Sequence, residues 1–208
     1  MNIPIIYEDD WLLVADKPAG LLSVPAPGRE SRTLTGILNR YAAENGTGCR
    51  LYPCHRLDRE TCGLIIYAKG RDVERKMADM FRARKVHKKY IAFVHGSLKH
   101  HNGEIDSLVG GKRACTRYKV IREKSSYSVV EAYPLTGRTN QIRLHFKNIG
   151  HPLVGEDRFI FRRDFALRSK RLCLQAKALC FRHPVTGKNM EFDIPLERWL
   201  EDFLFKHD

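Results

Sequence analysis

The stretch from Cys54 to Lys69 places the strongest constraint on the fold, because a cluster of polar residues runs directly into an apolar run. Residues 63–68 combine leucine with β-branched and aromatic side chains, which is typical of a buried strand. In the polar part, Asp58 follows closely after His55 and Arg56 in the sequence. The pattern therefore predicts a polar loop anchored on a rigid strand, and Asp58 is the residue whose role needs an explanation.

Asp58 has two interpretations from the local sequence. Turn carboxylates commonly accept hydrogen bonds from nearby backbone N–H groups, and residues 61–63 have the composition of a turn. Alternatively, Asp58 is a nucleophile or general base that a cation from elsewhere in the chain keeps ionised. The residues around Asp58 are compatible with both roles.

Four short motifs resemble, in order, those of the RluA-type pseudouridine synthases. The central one is His55-Arg56-Leu57-Asp58, followed by Thr61, Gly63 and Leu64, with Cys62 where the family usually has serine. The other three cover residues 16–21, 88–92 and 136–145. The similarity extends from about Tyr7 to Pro195, which is nearly the whole chain.

The resemblance implies that the chain isomerises uridine in RNA to pseudouridine with three catalytic residues. Asp58 would supply a carboxylate, and Arg143 would keep that carboxylate ionised. Tyr90 would stack on the target base, because a phenol ring offers a flat face to a pyrimidine. Two further positions depart from the family pattern, since Asn140 and Gln175 stand where relatives usually have histidine.

A second group of residues is expected to bind the substrate. A uridine in a stem has to be flipped out to reach a pocket, and Arg56 would occupy the space that it leaves. Leu64 and Ile142 would form walls of the pocket, and lysines would contact phosphates. The predicted substrate-binding residues are His55, Arg56, Leu64, Ile142, Lys88 and Lys89. The basic, aromatic segment 159–171 is a further candidate for phosphate contacts, although a solvated loop has the same composition.

Composition favours a polyanionic partner. The 208 residues include 37 Lys and Arg against 24 Asp and Glu, a formal net charge of +13. Such an excess of positive charge favours nucleic acid, since each phosphate contact releases counterions. We therefore expect structured RNA, ribosomal or transfer RNA or both, as the partner. We expect no obligatory protein partner and a monomer.

The sequence contains neither a membrane-span pattern nor a secretory signal, so we expect a cytoplasmic protein. The six cysteines lack the spacing of a zinc site and are expected to be free thiols. No metal or cofactor is predicted.

The hydrophobic patterns predict a single α+β domain over residues 1–208, with a mixed, mainly antiparallel central sheet flanked by helices. The resemblance adds a cleft across the sheet. Helices are predicted at 33–43, 71–84, 140–149 with Thr139 as cap, and 196–205. Strands are predicted at 3–7, 11–15, 63–68, 90–94, 116–122, 127–135, 171–183 and 189–194, with Asn102-Gly103 as a hairpin turn and Gly110-Gly111 as a second break.

Two other functions are compatible with the same residues. A non-catalytic RNA-binding module or assembly factor would use the basic surface without chemistry at Asp58. A hydrolase would use Asp58 as a base and release uracil or cut the chain. The sequence around Asp58 offers no second carboxylate outside the same turn, since Glu60 belongs to it, and this favours the synthase.

Overall fold

The computed structural model describes residues 3–25, 32–46, 48–160, 165 and 167–207. The described residues form ten strands and four helices, and the strands pair mainly antiparallel, which confirms the predicted α+β class. In that part of the chain no helix is both long and apolar enough to cross a bilayer. The elements are β1 (Ile5–Glu8), β2 (Leu12–Lys17), α1 (Leu34–Glu44), β3 (Leu51–Pro53), β4 (Cys62–Lys69), α2 (Arg71–Arg82), β5 (His87–His95), β6 (Asn102–Val109), β7 (Lys112–Glu123), β8 (Tyr127–Pro134), α3 (Gln141–Asn148), β9 (Leu174–Arg182), β10 (Asn189–Asp193) and α4 (Arg198–Lys206).

The chain divides into two compact units, each built from two separate segments. One contains the described residues of Met1–Val86 together with Leu179–Phe192. The other contains those of His87–Ala178 together with Asp193–Asp208.

The first unit is built on the central strands β2 and β4. These strands pair antiparallel, with β1 on the other edge of β2 and β3 also paired to β4. Seven of the eight β4 residues are buried, which explains its near-continuous apolar sequence. The α1 helix buries Leu34 and Leu38, and Thr33 caps it by accepting a hydrogen bond from the Gly36 N–H group. The α2 helix buries Val73 and Met77.

The second unit is an antiparallel sheet in the order β5-β8-β7-β6, with one helix on each face. Side chains of alternate residues point to opposite faces of a strand, so Val129 and Ala132 of β8 face opposite sides. On the Val129 side, Phe93 and Tyr127 pack against Phe203 of α4. On the Ala132 side, the ring of Tyr118 lies 5.6 Å from the ring of Phe146 of α3.

Some predicted boundaries were wrong. Asn102-Gly103 is not a hairpin turn: both residues belong to β6 and pair with Lys119 and Tyr118 of β7. The turn of that hairpin is Gly110-Gly111, where both glycines have positive φ. The cap of α3 is Asn140 rather than Thr139. The α2 helix ends at Arg82, two residues before the predicted end.

Candidate active site

The loop that carries Asp58 is held from below by Lys17, the last residue of β2. The Lys17 side chain is fully buried, and its Nζ donates to the carbonyl oxygens of Leu21 at 2.7 Å, Pro18 at 2.9 Å and Arg59 at 3.2 Å. Because three backbone carbonyls surround one ammonium group, they offset part of the cost of burying its charge. One of these carbonyls belongs to the residue directly after Asp58.

Ser23 fixes the residue directly before Asp58. Its Oγ donates to the Leu57 carbonyl at 2.8 Å and accepts from the Leu57 N–H at 3.1 Å. On the other side of Asp58, the Gly20 N–H donates to the Arg59 carbonyl at 2.8 Å. Both neighbours of Asp58 are therefore tied to the segment that follows β2, while Asp58 itself is half-buried.

Charges around Lys17 include that of Asp58. Burial lowers the pKa of Lys17 to about 8, whereas Cys62, Glu60, Asp58 and Asp16 act in the opposite direction. Lys17 and Asp58 thus interact electrostatically within the first unit. Lys17 was not among the site residues predicted from the sequence.

The other predicted site residues of the first unit differ in their exposure. His55 accepts a hydrogen bond at Nε2 from the Ile66 N–H at 3.1 Å. This nitrogen therefore carries no proton, and the bond attaches the ring to β4. The ring also lies 5.2 Å from that of Phe81. Leu64 is fully buried, and Arg56 is exposed.

In the second unit, Arg143 forms a bidentate ion pair with Glu156. Both Nε and Nη2 donate to the Glu156 carboxylate at 2.7 Å, and both side chains are almost fully buried. Arg143 Nη1 donates to Asn140 Oδ1 at 3.2 Å, and the Phe159 ring centroid lies 5.0 Å from the Arg143 Cζ. Two parallel N–H···O bonds fix the position and direction of one edge of a guanidinium group.

Glu156 is held by backbone as well as by Arg143. Its Oε1 accepts from the N–H groups of Asp157 at 3.1 Å, Arg158 at 2.9 Å and Phe159 at 3.3 Å. Burial acts to raise the pKa of Glu156, but the hydrogen bonds from Arg143 and from this loop outweigh it, so the pKa lies below its usual value. Glu156 is therefore ionised and fixed at neutral pH. Glu156 was not among the site residues predicted from the sequence.

Gln141 connects the start of α3 to β7. Its Oε1 accepts from the Thr136 hydroxyl at 2.7 Å and from the Arg138 N–H at 2.9 Å. Its Nε2 donates to the Cys115 carbonyl and to Thr116 Oγ1, both at 2.9 Å. All donor and acceptor groups of this buried amide are used, so the segment from Thr136 to Gln141 is anchored to the sheet.

The remaining predicted residues lie on both faces of the second unit's sheet. Tyr90 is buried on the face that α3 covers, and Lys88 shares that face because it is two residues away in β5. Lys88 Nζ donates to the Thr136 carbonyl at 3.4 Å, and burial lowers the pKa of Lys88. Ile142 is buried in α3.

Lys89 points to the opposite face from Tyr90. Its Nζ lies 2.9 Å from Asp193 Oδ2 and 3.9 Å from Glu131 Oε1. The two neighbouring lysines that were predicted to bind phosphates therefore lie in different surroundings. In the basic segment 159–171, the predicted cations Arg162 and Arg163 lie outside the described residues.

The predicted catalytic residues thus fall into two sets. The first unit holds Asp58 on a loop that Lys17 and Ser23 fix. The second unit holds Arg143, fixed by Glu156 and Asn140, and Tyr90. The pairing of Asp58 with Arg143 stays a prediction.

Within the described ranges, no group of three or more His, Cys, Asp or Glu side chains is arranged to hold a metal ion. The six cysteines are free, as predicted. Burial raises the pKa of Cys54, which lies next to His55, well above its usual value and so disfavours the thiolate form.

Comparison with known proteins identifies the family. A family model described as RNA pseudouridylate synthase matches residues 11–148. The dual-specificity RNA pseudouridine synthase RluA of Haemophilus influenzae is 36% identical over 207 residues, which cover 92% of each chain. Ribosomal large subunit pseudouridine synthase C of Vibrio vulnificus is 36% identical over 214 residues, which cover 95% of this chain and 67% of the relative.

Solved structures show the same fold. Human RNA pseudouridylate synthase domain containing 4 superposes with a TM-score of 0.82 over 97% of this chain and 92% of its own, at 23% identity. Human RNA pseudouridylate synthase domain containing 1 gives a TM-score of 0.74 over 96% of this chain. Since the family model spans more than half of the chain and the bacterial relatives align with most of it, the chain belongs to the RNA pseudouridylate synthases, as an isomerase of the RluA type.

Proposed function

We propose that this enzyme isomerises specific uridines in ribosomal RNA, transfer RNA or both, with Asp58 as the catalytic carboxylate. The observation that carries the assignment is the loop geometry: Leu57 and Arg59, on either side of Asp58, are both fixed by hydrogen bonds to the end of β2 and the segment after it. A catalytic group held in place in advance avoids the entropy cost of positioning it during the reaction.

The reaction needs no external reagent. The bond between N1 of uracil and C1' of ribose breaks, the base rotates, and a bond forms between C5 and C1'. The proton on C5 is then lost and N1 gains one, so atoms and electrons balance. Asp58 would assist by attacking C1' or by removing the 2' proton, and both routes require the carboxylate to be ionised.

Arg143 is proposed to keep Asp58 ionised. A cation within about 4 to 6 Å of a carboxylate lowers its pKa by about 1 to 3 units. The bidentate bond to Glu156 uses two of the five N–H donors of the guanidinium, so this ion pair does not exhaust its capacity to bind another carboxylate.

The base and the backbone of the RNA would contact further residues. Tyr90 would stack on the flipped uracil, with Leu64 and Ile142 as apolar walls and Arg56 in the vacated space of the stem. His55 would support this end of the site through its bond to β4. Lys88 would bind phosphate, while Lys89 would contribute less because Asp193 and Glu131 already neutralise it.

The names of the relatives, rather than the geometry, support the proposed class of target. One relative is named for the large ribosomal subunit and another for dual specificity. On this ground we propose ribosomal RNA as a target. We also propose transfer RNA as a second target, and a monomeric cytoplasmic enzyme that acts without a protein partner.

Pseudouridine mapping in cells that lack the gene tests the proposal. Reintroducing the wild-type gene should restore the lost sites, whereas Asp58→Asn should restore none of them although the protein accumulates normally. The exposed carboxylate variant Asp10→Asn is the control and should behave as wild type. Restoration by Asp58→Asn would remove Asp58 from the mechanism and would favour a non-catalytic role for this loop.

A further inference from the structure

We infer that Asn140 is a positioning residue that acts together with Glu156 to orient the guanidinium group of Arg143. The inference rests on the proposed role of Arg143 and assigns a function to a position at which this chain departs from the family's usual histidine.

Glu156 fixes only one edge of the guanidinium. Its carboxylate binds Nε and Nη2, each at 2.7 Å, and is itself held by three backbone N–H groups. This edge contact leaves the group able to tilt about the line that joins the two bonded nitrogens. A third contact, away from that line, restricts the tilt.

Asn140 supplies the third contact. Its Oδ1 accepts from Arg143 Nη1 at 3.2 Å, and Nη1 is the nitrogen that Glu156 does not bind. The Phe159 ring, 5.0 Å from Cζ, covers one face of the same group. Glu156 thus holds one edge of the guanidinium, Asn140 holds the remaining nitrogen, and Phe159 covers one face.

The backbone at Asn140 shows that this contact replaces an ordinary one. Asn140 precedes α3 at the N-cap position, where an asparagine side chain normally accepts a hydrogen bond from the first turn. Asn140 makes no such bond and has φ of 55°, in the left-handed region that asparagine tolerates better than most residues. The Asn140 side chain therefore bonds to the guanidinium group of Arg143 instead of to the backbone N–H groups of the first turn of α3.

A substitution at Asn140 can therefore distinguish an effect on protein stability from an effect on the reaction rate. Glycine adopts positive φ without strain, which offsets the loss of the hydrogen bond to Arg143, and no capping bond exists to be lost, so Asn140→Gly should change the melting temperature little. The same substitution removes the contact to Nη1. A purely structural role for Asn140 predicts the reverse, with a loss of stability and an unchanged rate.

Single-turnover kinetics with excess enzyme test the inference. The probe is total RNA from cells that lack the gene, labelled with [5-³H]uridine, because formation of the C5–C1' bond releases the C5 hydrogen as tritiated water. Asn140→Gly should slow tritium release by about tenfold, the effect of one hydrogen bond to a charged group. The Kd for the same RNA should stay within about twofold of wild type.

Two further variants make the result decisive. Asn140→Asp keeps an acceptor oxygen at the same place and should return the rate to within about threefold of wild type. Asn148→Gly makes the same change at the exposed other end of α3 and should leave the rate unchanged. An unchanged rate in Asn140→Gly, or a loss that Asn140→Asp does not recover, would overturn the inference. Absence of tritium release from the wild type would instead contradict the enzyme's proposed substrate class.

Discussion

Lys17 combines full burial, three carbonyl partners and a lowered pKa in one side chain. Burying a charge is unfavourable, and the carbonyls of Leu21, Pro18 and Arg59 offset only part of that cost, since the pKa still falls to about 8. Between this value and the ordinary value of 10.5, the unfolded chain holds a proton that the folded chain has released. The free energy of unfolding therefore rises with pH in this window.

We expect this titration to appear in a comparison with Lys17→Met. The wild type should gain about 2 kcal/mol of stability relative to Lys17→Met between about pH 7.5 and about pH 9.5. Urea denaturation of both proteins at a series of pH values measures the difference, and other lysines and tyrosines cancel because both chains contain them. A difference that stays flat or falls over this range would show that Lys17 keeps an ordinary pKa.

Single residues also show how far the sequence can be interpreted. Asp58 was recognised as a candidate site residue and residues 63–68 as a strand, because both depend on patterns of neighbouring residues. Lys17 and Glu156 were not recognised as partners of site residues, since their contacts depend on tertiary structure. Lys17 binds the carbonyl of a residue 42 positions later, and Arg143 binds an acid 13 positions later, without any repeating pattern between them.

The end of α2 carries strain that a substitution can remove. Arg84 has φ of 57° in the position after the C-cap, where glycine is usual, and the Lys85 N–H bonds back to the Met80 carbonyl at 2.9 Å. Arg84→Gly should raise the free energy of unfolding by about 0.5 to 1 kcal/mol. Arg82→Gly, within the helix, should lower it by about 1 kcal/mol. Chemical denaturation measures both, and a loss of stability in Arg84→Gly would contradict the interpretation.

The loop after α3 depends on Gly155 for a different reason. Gly155 has φ of 80°, and a Cβ there would overlap the carbonyl of Arg171. Gly155→Ala should therefore cost about 2 to 4 kcal/mol and displace the adjacent Glu156. Gly150 has φ of 84° but no atom within 4 Å of an added Cβ, so Gly150→Ala should cost only about 1 kcal/mol. Equal losses in the two variants would exclude steric overlap as the cause.

At the level of elements, periodic patterns were reliable and turn signals were less so. The helices α1, α2 and α4 and the hairpin β7–β8 were predicted because their apolar residues repeat at the expected intervals. Asn102-Gly103 was wrongly predicted to be a turn, because the glycine is needed there for a steric reason. An added Cβ at Gly103 would lie 2.9 Å from the Tyr118 ring on the paired strand, so the glycine makes room for that ring.

The division of the chain into two compact units is not visible in its amino-acid composition. Each compact unit joins two segments that are distant in sequence, and no linker-like stretch separates 86 from 87, 178 from 179 or 192 from 193. Domain boundaries are recognised in a sequence by flexible linkers rich in proline, glycine or polar residues, and these crossings lack such linkers. The prediction of one domain over residues 1–208 stays a prediction.

The net charge of +13 leads to a prediction about the affinity for RNA. The logarithm of the binding constant should fall linearly with the logarithm of the salt concentration, and each phosphate contact removed should flatten the slope by about 0.7 to 0.9. Lys85, which we propose as a further phosphate contact, is exposed, whereas Lys89 lies beside Asp193 and Glu131. Lys85→Ser should therefore flatten the slope by nearly one unit and Lys89→Ser by much less, because the carboxylates already replace counterions at Lys89. Filter binding over a salt series measures both slopes, and the opposite order would show that the RNA displaces these carboxylates from Lys89.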